Sequence, residues 1–526
     1  MREVYFFTSN RAKLAHLKHI GRKHGLDVNG FRELTYFGPY EEPRIRDREK
    51  LLRESYESAA SKWVKAFGET DSRIFMLEDT SVRIDALSES EDFPGVDVKY
   101  WMRGMTFGKL DAMLRERGNL RTATVRSDIV AHVPRRLRDT LSNGKPFIWV
   151  AAESKGKILD VEVPLTTNLV YPWLDSRSFN KWFVPEGSDS PMSALDIEAA
   201  DSFDFRRKAF DQMVLEFDGL LRPDHPEATS EQLLLPGVVA KPPVLLICGY
   251  SCAGKSTLAT WLSSKFGFLH LEASDYMWRA YWERHGTKSN IKIGEFAVAA
   301  LKVEPWIAAA PIGHDLNAFG YSAAVVTGFR SPSEARELAL VLGEERKVQI
   351  LFVDAEFDTR LVRAARRGRE PTDISSLRVR DYQERGMGLE CIKKTSAVVV
   401  HNNYVRKESY FHVVQKAVKY EIEVLTGATQ YADAPSVGGL EKYILLALLH
   451  TGEKTLLTTS EIAKAIKFLF GIEKSKNNIS RYFHQEFHPF YRVGERNGKH
   501  VYRLSATGLS MANILNVHRA FPDWQK

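Results

Sequence analysis

Short apolar runs punctuate the chain and read as strands: Val4 to Phe7, Ile74 to Leu77, Val244 to Cys248, Val348 to Val353 and Ser396 to Val400. Behind the first, Thr8-Ser9-Asn10-Arg11-Ala12-Lys13 opens a helix predicted to run to about His24. Behind the third, Leu258, Trp261, Leu262 and Phe266 recur at helical spacing and share one face. The pattern changes near the C-terminus. Leu440 to Leu449 is an apolar helix, the segment from Thr459 through Ser460 and Glu461 to Ile466 opens another behind a cap, and Ser475 to Phe487 gives a third. Tyr491 to Gly494 and His500 to Leu504 then flank Glu495-Arg496-Asn497-Gly498-Lys499, where Asn-Gly predicts a tight hairpin.

Two stretches break these periodicities and read as linkers. Leu221 to Pro243 holds Pro223, Pro226, Pro236, Pro242 and Pro243, and Gly427 to Gly439 runs through Ala434-Pro435-Ser436 and Gly438-Gly439. The chain of 526 residues therefore divides into units 1–220, 242–426 and 436–526, as expected of a length beyond what one hydrophobic core supports. The predicted class is multidomain α/β: a mixed α/β first unit, a parallel-sheet second unit and a small third unit of helices and hairpin.

Composition narrows the setting. Hydrophobic residues make up 44% and charged residues 27%, and no apolar stretch approaches the roughly 18 residues of a membrane span. The N-terminal Met1-Arg2-Glu3 leads into a strand without the apolar core of a signal peptide, so the sequence reads as cytoplasmic. Cys248, Cys252 and Cys391 cannot build a disulfide framework and match no zinc spacing. The net charge of +7 is concentrated at the end, where residues 436–526 carry 13 Lys and Arg against 7 Asp and Glu, which favours an acidic partner there.

The apolar run Val244 to Cys248 leads directly into Gly249-Tyr250-Ser251-Cys252-Ala253-Gly254-Lys255-Ser256. This is the full G-x-x-x-x-G-K-S phosphate loop in its strand-loop-helix context. Gly249 and Gly254 let backbone N–H groups wrap phosphates, Lys255 reaches the β- and γ-phosphates, and Ser256, followed by Thr257, ligates magnesium. The unit is expected to bind ATP and Mg2+. Glu272-Ala273-Ser274-Asp275 through Arg279 resembles the T-G-D-x-x-R segment of adenylate-kinase-like enzymes. Val325 to Arg330 resembles their D-G-F-P-R strand end, in which the arginine grips the acceptor phosphate. Arg360, Arg363, Arg366, Arg367 and Arg369 stand where such kinases carry a lid, although arginines at this spacing also make an ordinary solvated face. Ser396 to Val400 with His401-Asn402-Asn403 resembles the final strand and adenine-side loop. The resemblance implies catalytic Lys255 and Arg330, with Asp275, Arg279, Arg363 and Arg367 binding substrates. It departs from the family at Thr327, where an Asp is usual.

The first unit resembles the inosine triphosphatase (Ham-type) family of nucleoside triphosphate pyrophosphatases. The resemblance is carried by Thr8-Ser9-Asn10 with Lys13, by Glu78-Asp79-Thr80-Ser81-Val82, by Pro94-Gly95 with Lys99, by Arg121 to Thr124 and by Phe183-Val184-Pro185 with Gly187. It implies a Mg2+-dependent cleavage between α- and β-phosphates and a family that commonly forms homodimers. Asn10, Lys13, Lys99 and Arg206 match nucleotide- and phosphate-binding positions, while Glu49, Glu78 and Asp79 match metal ligands and Asp79 the water-activating carboxylate. Adjacent acids after a strand also occur as a turn or helix cap. His16 stands where the family has Glu, Glu54 or Ser55 where it has Lys, Asn180 for the Asp of F-G-W-D, and Asp204-Phe205-Arg206 for S-H-R.

The third unit resembles a winged helix-turn-helix, with Lys474, Lys476, Asn477, Asn478 and Arg481 on the recognition helix. This resemblance implies DNA as a partner, or a protein, since winged helices also dock proteins. Together the sequence predicts an enzyme combining a nucleoside triphosphate pyrophosphatase with a P-loop kinase acting on a nucleoside monophosphate-like acceptor. The alternative is a nucleotide-sensing regulator or defence protein whose first unit only binds nucleotide.

Overall fold

The computed structural model describes residues 2–518 except 32–42, 44, 176–177, 218–243, 287–288, 320–322, 344–345, 368–372, 397, 418–436, 438, 453–454 and 484–487. Outside the described residues lie the Leu221 to Pro243 break, most of the Gly427 to Gly439 break, Arg369, the side chain of Arg367 and the end of the helix predicted over Ser475 to Phe487. The chain forms two compact units, Met1–Gln232 with Glu283–Ser289 and Leu233–Trp282 with Asn290–Lys526. No single described helix is long and apolar enough to cross a membrane.

The first unit is built on a mixed sheet of β1 (Arg2–Phe6), β2 (Leu26–Gly30), β3 (Ile74–Ile84), β4 (Pro94–Gly95), β5 (Thr122–His132), β6 (Phe147–Ile158) and β7 (Phe183–Pro185). Its order is β2-β1-β3-β5-β6-β7, with β4 paired to β3. β1 is parallel to β2 and β3, and the β3, β5, β6 and β7 pairs are antiparallel. Alternate side chains enter two separate cores. Val4, Phe6 and Met76 join Leu17 and Ile20 of the helix Arg11–Lys23 and Phe210 and Met213 of the helix Phe205–Glu216. Tyr5, Phe7, Phe75 and Leu77 pack on Leu52, Tyr56 and Trp63 of the helix Arg48–Phe67. The predicted first helix is present, capped by Asn10.

The second unit carries five parallel strands, β8 (Val244–Cys248), β9 (Leu269–Glu272), β10 (Ala324–Thr327), β11 (Val348–Asp354) and β12 (Val398–His401), in the order β12-β11-β8-β10-β9. β8 lies between its later partners β11 and β10, so the connection leaving β8 runs toward β9 on one side, that leaving the adjacent β11 runs toward β12 on the other, and a crevice opens at their C-terminal ends. Toward the C-terminus come the helices Gly439–Thr451, Thr459–Phe470 and Lys476–Ser480, then β13 (Tyr491–Arg496) and β14 (Lys499–Leu504), then the helix Ala506–His518. The hairpin forms as predicted, with Asn497 and Gly498 both at positive φ in the tight turn.

Two expectations change here. The cap of the second C-terminal helix is Thr458, which completes a reciprocal capping box with Glu461. The helix expected over Ser475 to Phe487 ends at Ser480 and tightens into a 3-10 turn over Arg481–Phe483. Phe483 leaves the helical path to stack on Tyr502 of the hairpin, with ring centroids 3.9 Å apart. The last helix seals the edge strand β9: Ser510 Oγ donates to Phe268 O at 2.8 Å and accepts from His270 N at 2.8 Å.

Candidate functional site

β3 outruns β1. The last bond to β1 is Phe7 N to Met76 O and β4 joins that side only at Val82 and Arg83, so the flank of β3 is open beside Glu78 and Asp79. The strand was expected to end at Leu77, yet Glu78 and Asp79 lie within it, paired opposite Ile129 and Asp128 of β5. The turn-or-cap reading of the two acids is thereby excluded. Lys13, one turn into the helix that Asn10 caps, fills the open flank: its Nζ lies 3.1 Å from Glu78 Oε2 and 3.4 Å from Asp79 Oδ1, and donates to Glu78 O at 3.2 Å. A cleft opens beside this group, lined by Phe7, Leu52, Ser55, Glu78, Asp79 and Tyr100 among others.

Beneath the cleft Glu78 is buried in a ring of donors. Arg206 Nε reaches Oε1 at 3.1 Å, Thr80 Oγ1 donates at 2.6 Å and Ser127 Oγ at 2.9 Å. Burial pushes the Glu78 carboxyl up, but Arg206 and Lys13 outweigh it and hold its pKa down at about 2. Arg206 also donates to Thr80 Oγ1 at 2.6 Å and to His16 Nδ1 at 3.2 Å. Burial, and secondarily Arg206, drives the His16 pKa well below its ordinary value, so the ring is neutral and its Nδ1 can accept. That ring stacks on Trp173 with centroids 4.4 Å apart. Asp204 caps the helix Phe205–Glu216, and burial raises its carboxyl to about 6 despite Arg206.

In the second unit the loop leaves β8 at the crevice. Gly249 and Gly254 both have positive φ, as does Cys252 between them. A Cβ at Gly249 would come within 2.1 Å of Val353 O, which explains the glycine. Lys255 Nζ donates to the loop carbonyls of Gly249 at 2.6 Å and Tyr250 at 2.8 Å. Ser256 Oγ lies 3.5 Å from Glu272 Oε2, which also accepts from Thr327 Oγ1 at 2.8 Å, and His270 Nε2 lies 2.7 Å from that threonine hydroxyl. A carboxylate thus stands beside Ser256 from β9, with Thr327 of β10 as its support. The sequence pattern points to position 327 for such an acid, but the carboxylate is Glu272, whose signal in the chain is an acid ending the strand after the loop helix.

The remaining P-loop-unit residues divide. Arg330 Nε approaches Glu384 Oε1 at 3.4 Å, and Ser251 donates to the same carboxylate. Asp275 is buried, its carboxyl raised to about 6 by burial against the pull of Arg492, whose guanidinium pairs with it from β13. Arg360 is no lid residue: it is buried and bidentate to Asp381 at 2.7 and 2.6 Å. Arg363 donates to Ala253 O at 3.3 Å and Asn402 O at 3.0 Å, bracing the loop from beneath. Both arginines face inward because their partners are buried backbone and carboxylate oxygens, which an exposed lid would not supply. Arg366 is exposed, and Arg279 and Thr257 are half-buried.

The family model described as the Ham1 family matches residues 4–216. Residues 4–216 form a Ham1-like domain. The Ham1 protein of Staphylococcus aureus aligns at 18% identity over 41% of this chain and 99% of its own, with a TM-score of 0.30. A nucleoside-triphosphatase / dITP/XTP pyrophosphatase from Mycobacterium abscessus aligns at 19% over 40% and 98%, with a TM-score of 0.27. A shikimate kinase from Bacteroides thetaiotaomicron aligns at 12% over 34% and 97%, with a TM-score of 0.24. No curated protein matches the chain.

Within the Ham1-like domain the structure brings together Lys13, Glu78, Asp79 and Arg206. Asn10 takes part indirectly, since its Oδ1 accepts from Ala12 N at 3.0 Å and Lys13 N at 3.3 Å and so fixes the helix that presents Lys13. Glu49 is exposed and grips Arg53 at 2.7 Å one turn along its own helix, away from the cleft lining. Lys99 is exposed beside the cleft-lining Tyr100. Ser55, rather than the exposed Glu54, lines the cleft. Among the described residues no group of three or more His, Cys, Asp or Glu side chains is arranged to hold a metal ion. Asn180 is buried and its Nδ2 donates to Trp173 O at 3.1 Å.

Proposed function

We propose that this chain is a nucleotide-metabolising enzyme with two chemistries: the Ham1-like domain hydrolyses a nucleoside triphosphate to monophosphate and pyrophosphate, and the P-loop unit passes the terminal phosphoryl group of ATP to a nucleoside monophosphate-like acceptor. One arrangement, built twice, carries the reading. In each unit a lysine at the start of a helix and a strand carboxylate converge, Lys13 with Glu78 and Asp79 on the open flank of β3 and Lys255 with Glu272 at the end of β9.

In the Ham1-like domain Lys13 binds the triphosphate, and Asp79 accepts the proton of the attacking water as pyrophosphate leaves. Arg206 and Lys13 keep Glu78 anionic. In the P-loop unit the backbone amides of the loop and Lys255 hold the β- and γ-phosphates, and Arg330 orients the acceptor. Ser256 and Glu272 offer adjacent hard oxygen donors that fit magnesium, and in the Ham1-like domain Asp79 and Glu78 Oε2 offer them, since the protein hydrogen-bond donors gather on Glu78 Oε1. Magnesium neutralises phosphate oxygens when bound. The C-terminal helices and hairpin serve as a winged helix that contacts DNA, supported by the exposure of Lys474, Lys476, Asn477, Asn478 and Arg481 on one short stretch. The three protein donors on Glu78 Oε1, with the Lys13 ammonium beside Oε2, favour a second reading, in which the Ham1-like domain binds a nucleotide without cleaving it.

The test incubates wild-type, Asp79→Asn and Lys255→Ala proteins with ATP, magnesium and a nucleotide panel, and resolves all products by chromatography. Asp79→Asn should stop pyrophosphate release and spare phosphoryl transfer, and Lys255→Ala the reverse. Equal loss of both in either variant refutes two separate sites, and tight binding without turnover by wild type establishes the sensor.

A further inference from the structure

Glu384 belongs to the helix Ile374–Gly386, far along the chain from the phosphate loop, yet its carboxylate lies against that loop and is 2% exposed. Oε2 accepts the backbone N–H of Ser251 at 3.0 Å, and Oε1 accepts the Ser251 hydroxyl at 2.8 Å. Arg330 Nε and Arg380 Nε approach Oε1 at 3.4 and 3.2 Å. All four donors are of the kinds that grip phosphate: a loop amide, a loop hydroxyl and two guanidinium groups. Burial works against the charge on Glu384, but Lys255, Arg330 and Arg380 outweigh it and hold the carboxyl below its ordinary pKa, so it is an anion at neutral pH.

The helix does not need Glu384 for anchorage. Asp381, three residues earlier, already ties it to the helix Phe357–Arg367 through the buried bidentate pair with Arg360. Glu384 instead places a negative charge among donors that suit a polyanion. We propose that Glu384 is a resident anion that competes with the terminal phosphate of a nucleotide for Ser251, Arg330 and Arg380, so that binding of a triphosphate displaces it. This rests on nucleotide binding at the P-loop. Arg330 follows β10 and Arg380 sits on the Glu384 helix, so the donors gathered by Glu384 include two from outside the loop. A phosphate projecting out of the loop meets them, and the competition therefore weighs on ATP more than on ADP.

The experiment titrates the full chain with Mg-ATP and with Mg-ADP by calorimetry in an Asp79→Asn background, counting as P-loop binding only the heat lost on Lys255→Ala. Glu384→Gln keeps the side-chain shape and removes the charge. It should tighten ATP about tenfold, the effect of relieving roughly 1.4 kcal/mol, while ADP changes about twofold or less. Glu384→Asp keeps the charge and the pairing with Arg380 on a shorter arm that draws away from Ser251, and should give a smaller shift in the same direction if Glu384→Gln does not fold. Equal weakening of ATP and ADP in both variants shows a brace for the loop and overturns the proposal. Unchanged ATP affinity overturns it as well. Failure of either nucleotide to bind wild type or variant removes the P-loop reading itself, and the competition with it; ADP binding by wild type without the ATP shift refutes only the competition.

Discussion

Arg206→Met tests the buried charge cluster of the Ham1-like domain. The substitution keeps an apolar stem of similar length beside Phe205 but removes the guanidinium that meets Glu78 at 3.1 Å. Glu78 then keeps Lys13 as a cation and Thr80 and Ser127 as donors, while its desolvation is undiminished. Its shift from 4.5 to about 2 corresponds to about 3 kcal/mol of interaction favouring the charged form at neutral pH. Removing one partner of a buried pair costs about 3–5 kcal/mol, because the remaining charge stays buried. At roughly 2–4 °C per kcal/mol for a domain of this size, the unfolding transition should fall by about 10 °C at pH 7.

The sign of the pH dependence sharpens the test. In wild type the folded pKa of Glu78 lies below its unfolded value, so its stabilisation is complete above pH 4.5 and is lost as pH falls toward 2. In Arg206→Met burial dominates and raises the folded pKa, so protonation relieves the variant as pH falls. The gap between the two proteins should narrow from pH 7 to pH 4. Asp204 runs the other way, its raised pKa of about 6 costing stability as pH rises from about 4 through 6, and it also faces Arg206. Adding Glu78→Gln to Arg206→Met should therefore recover most of the loss if Glu78 is its source. Calorimetric unfolding of the full chain measures all three proteins. A loss under about 1 kcal/mol, or a gap that widens on acidification, refutes the reasoning.

The Ham1-like domain, if it cleaves triphosphates, should not favour inosine or xanthosine triphosphate over the normal ribo- and deoxyribonucleotides, because Asn180, in place of the Asp of F-G-W-D, is tied to Trp173 O and Phe205, in place of the His of S-H-R, is buried and offers no hydrogen bond; kcat/KM across the panel, with Asp79→Asn as blank, checks this, and a marked inosine preference contradicts it. Joint replacement of Lys474, Lys476 and Arg481 by Ala should lower the salt-dependence slope of DNA binding by up to about 0.9 per lost phosphate contact, and an unchanged slope removes DNA from that surface.

The sequence by itself determined what local spacing encodes. The phosphate loop, the Asn-Gly hairpin and the helix behind Asn10 are short-range patterns whose geometry follows from glycine freedom, turn chemistry and capping, and each stands where the pattern placed it. The Ham1-like domain was legible for a related reason, since several linked motifs fix an order of elements. Tertiary structure decided which side chains share a site. Nothing near Glu78 in the chain announces Arg206, 128 positions away, as its counter-ion, and β3 exposes a flank only because β1 stops short of it. Arg360 and Arg363, two of the arginines read as a lid, turn inward because Asp381 and the carbonyls of Ala253 and Asn402 lie beneath them. Glu272 reaches Ser256, and Glu384 reaches Ser251, only through the parallel sheet and the helix packed beside it. Buried charge must be paired, and the partner is chosen by folding rather than by neighbourhood in the chain.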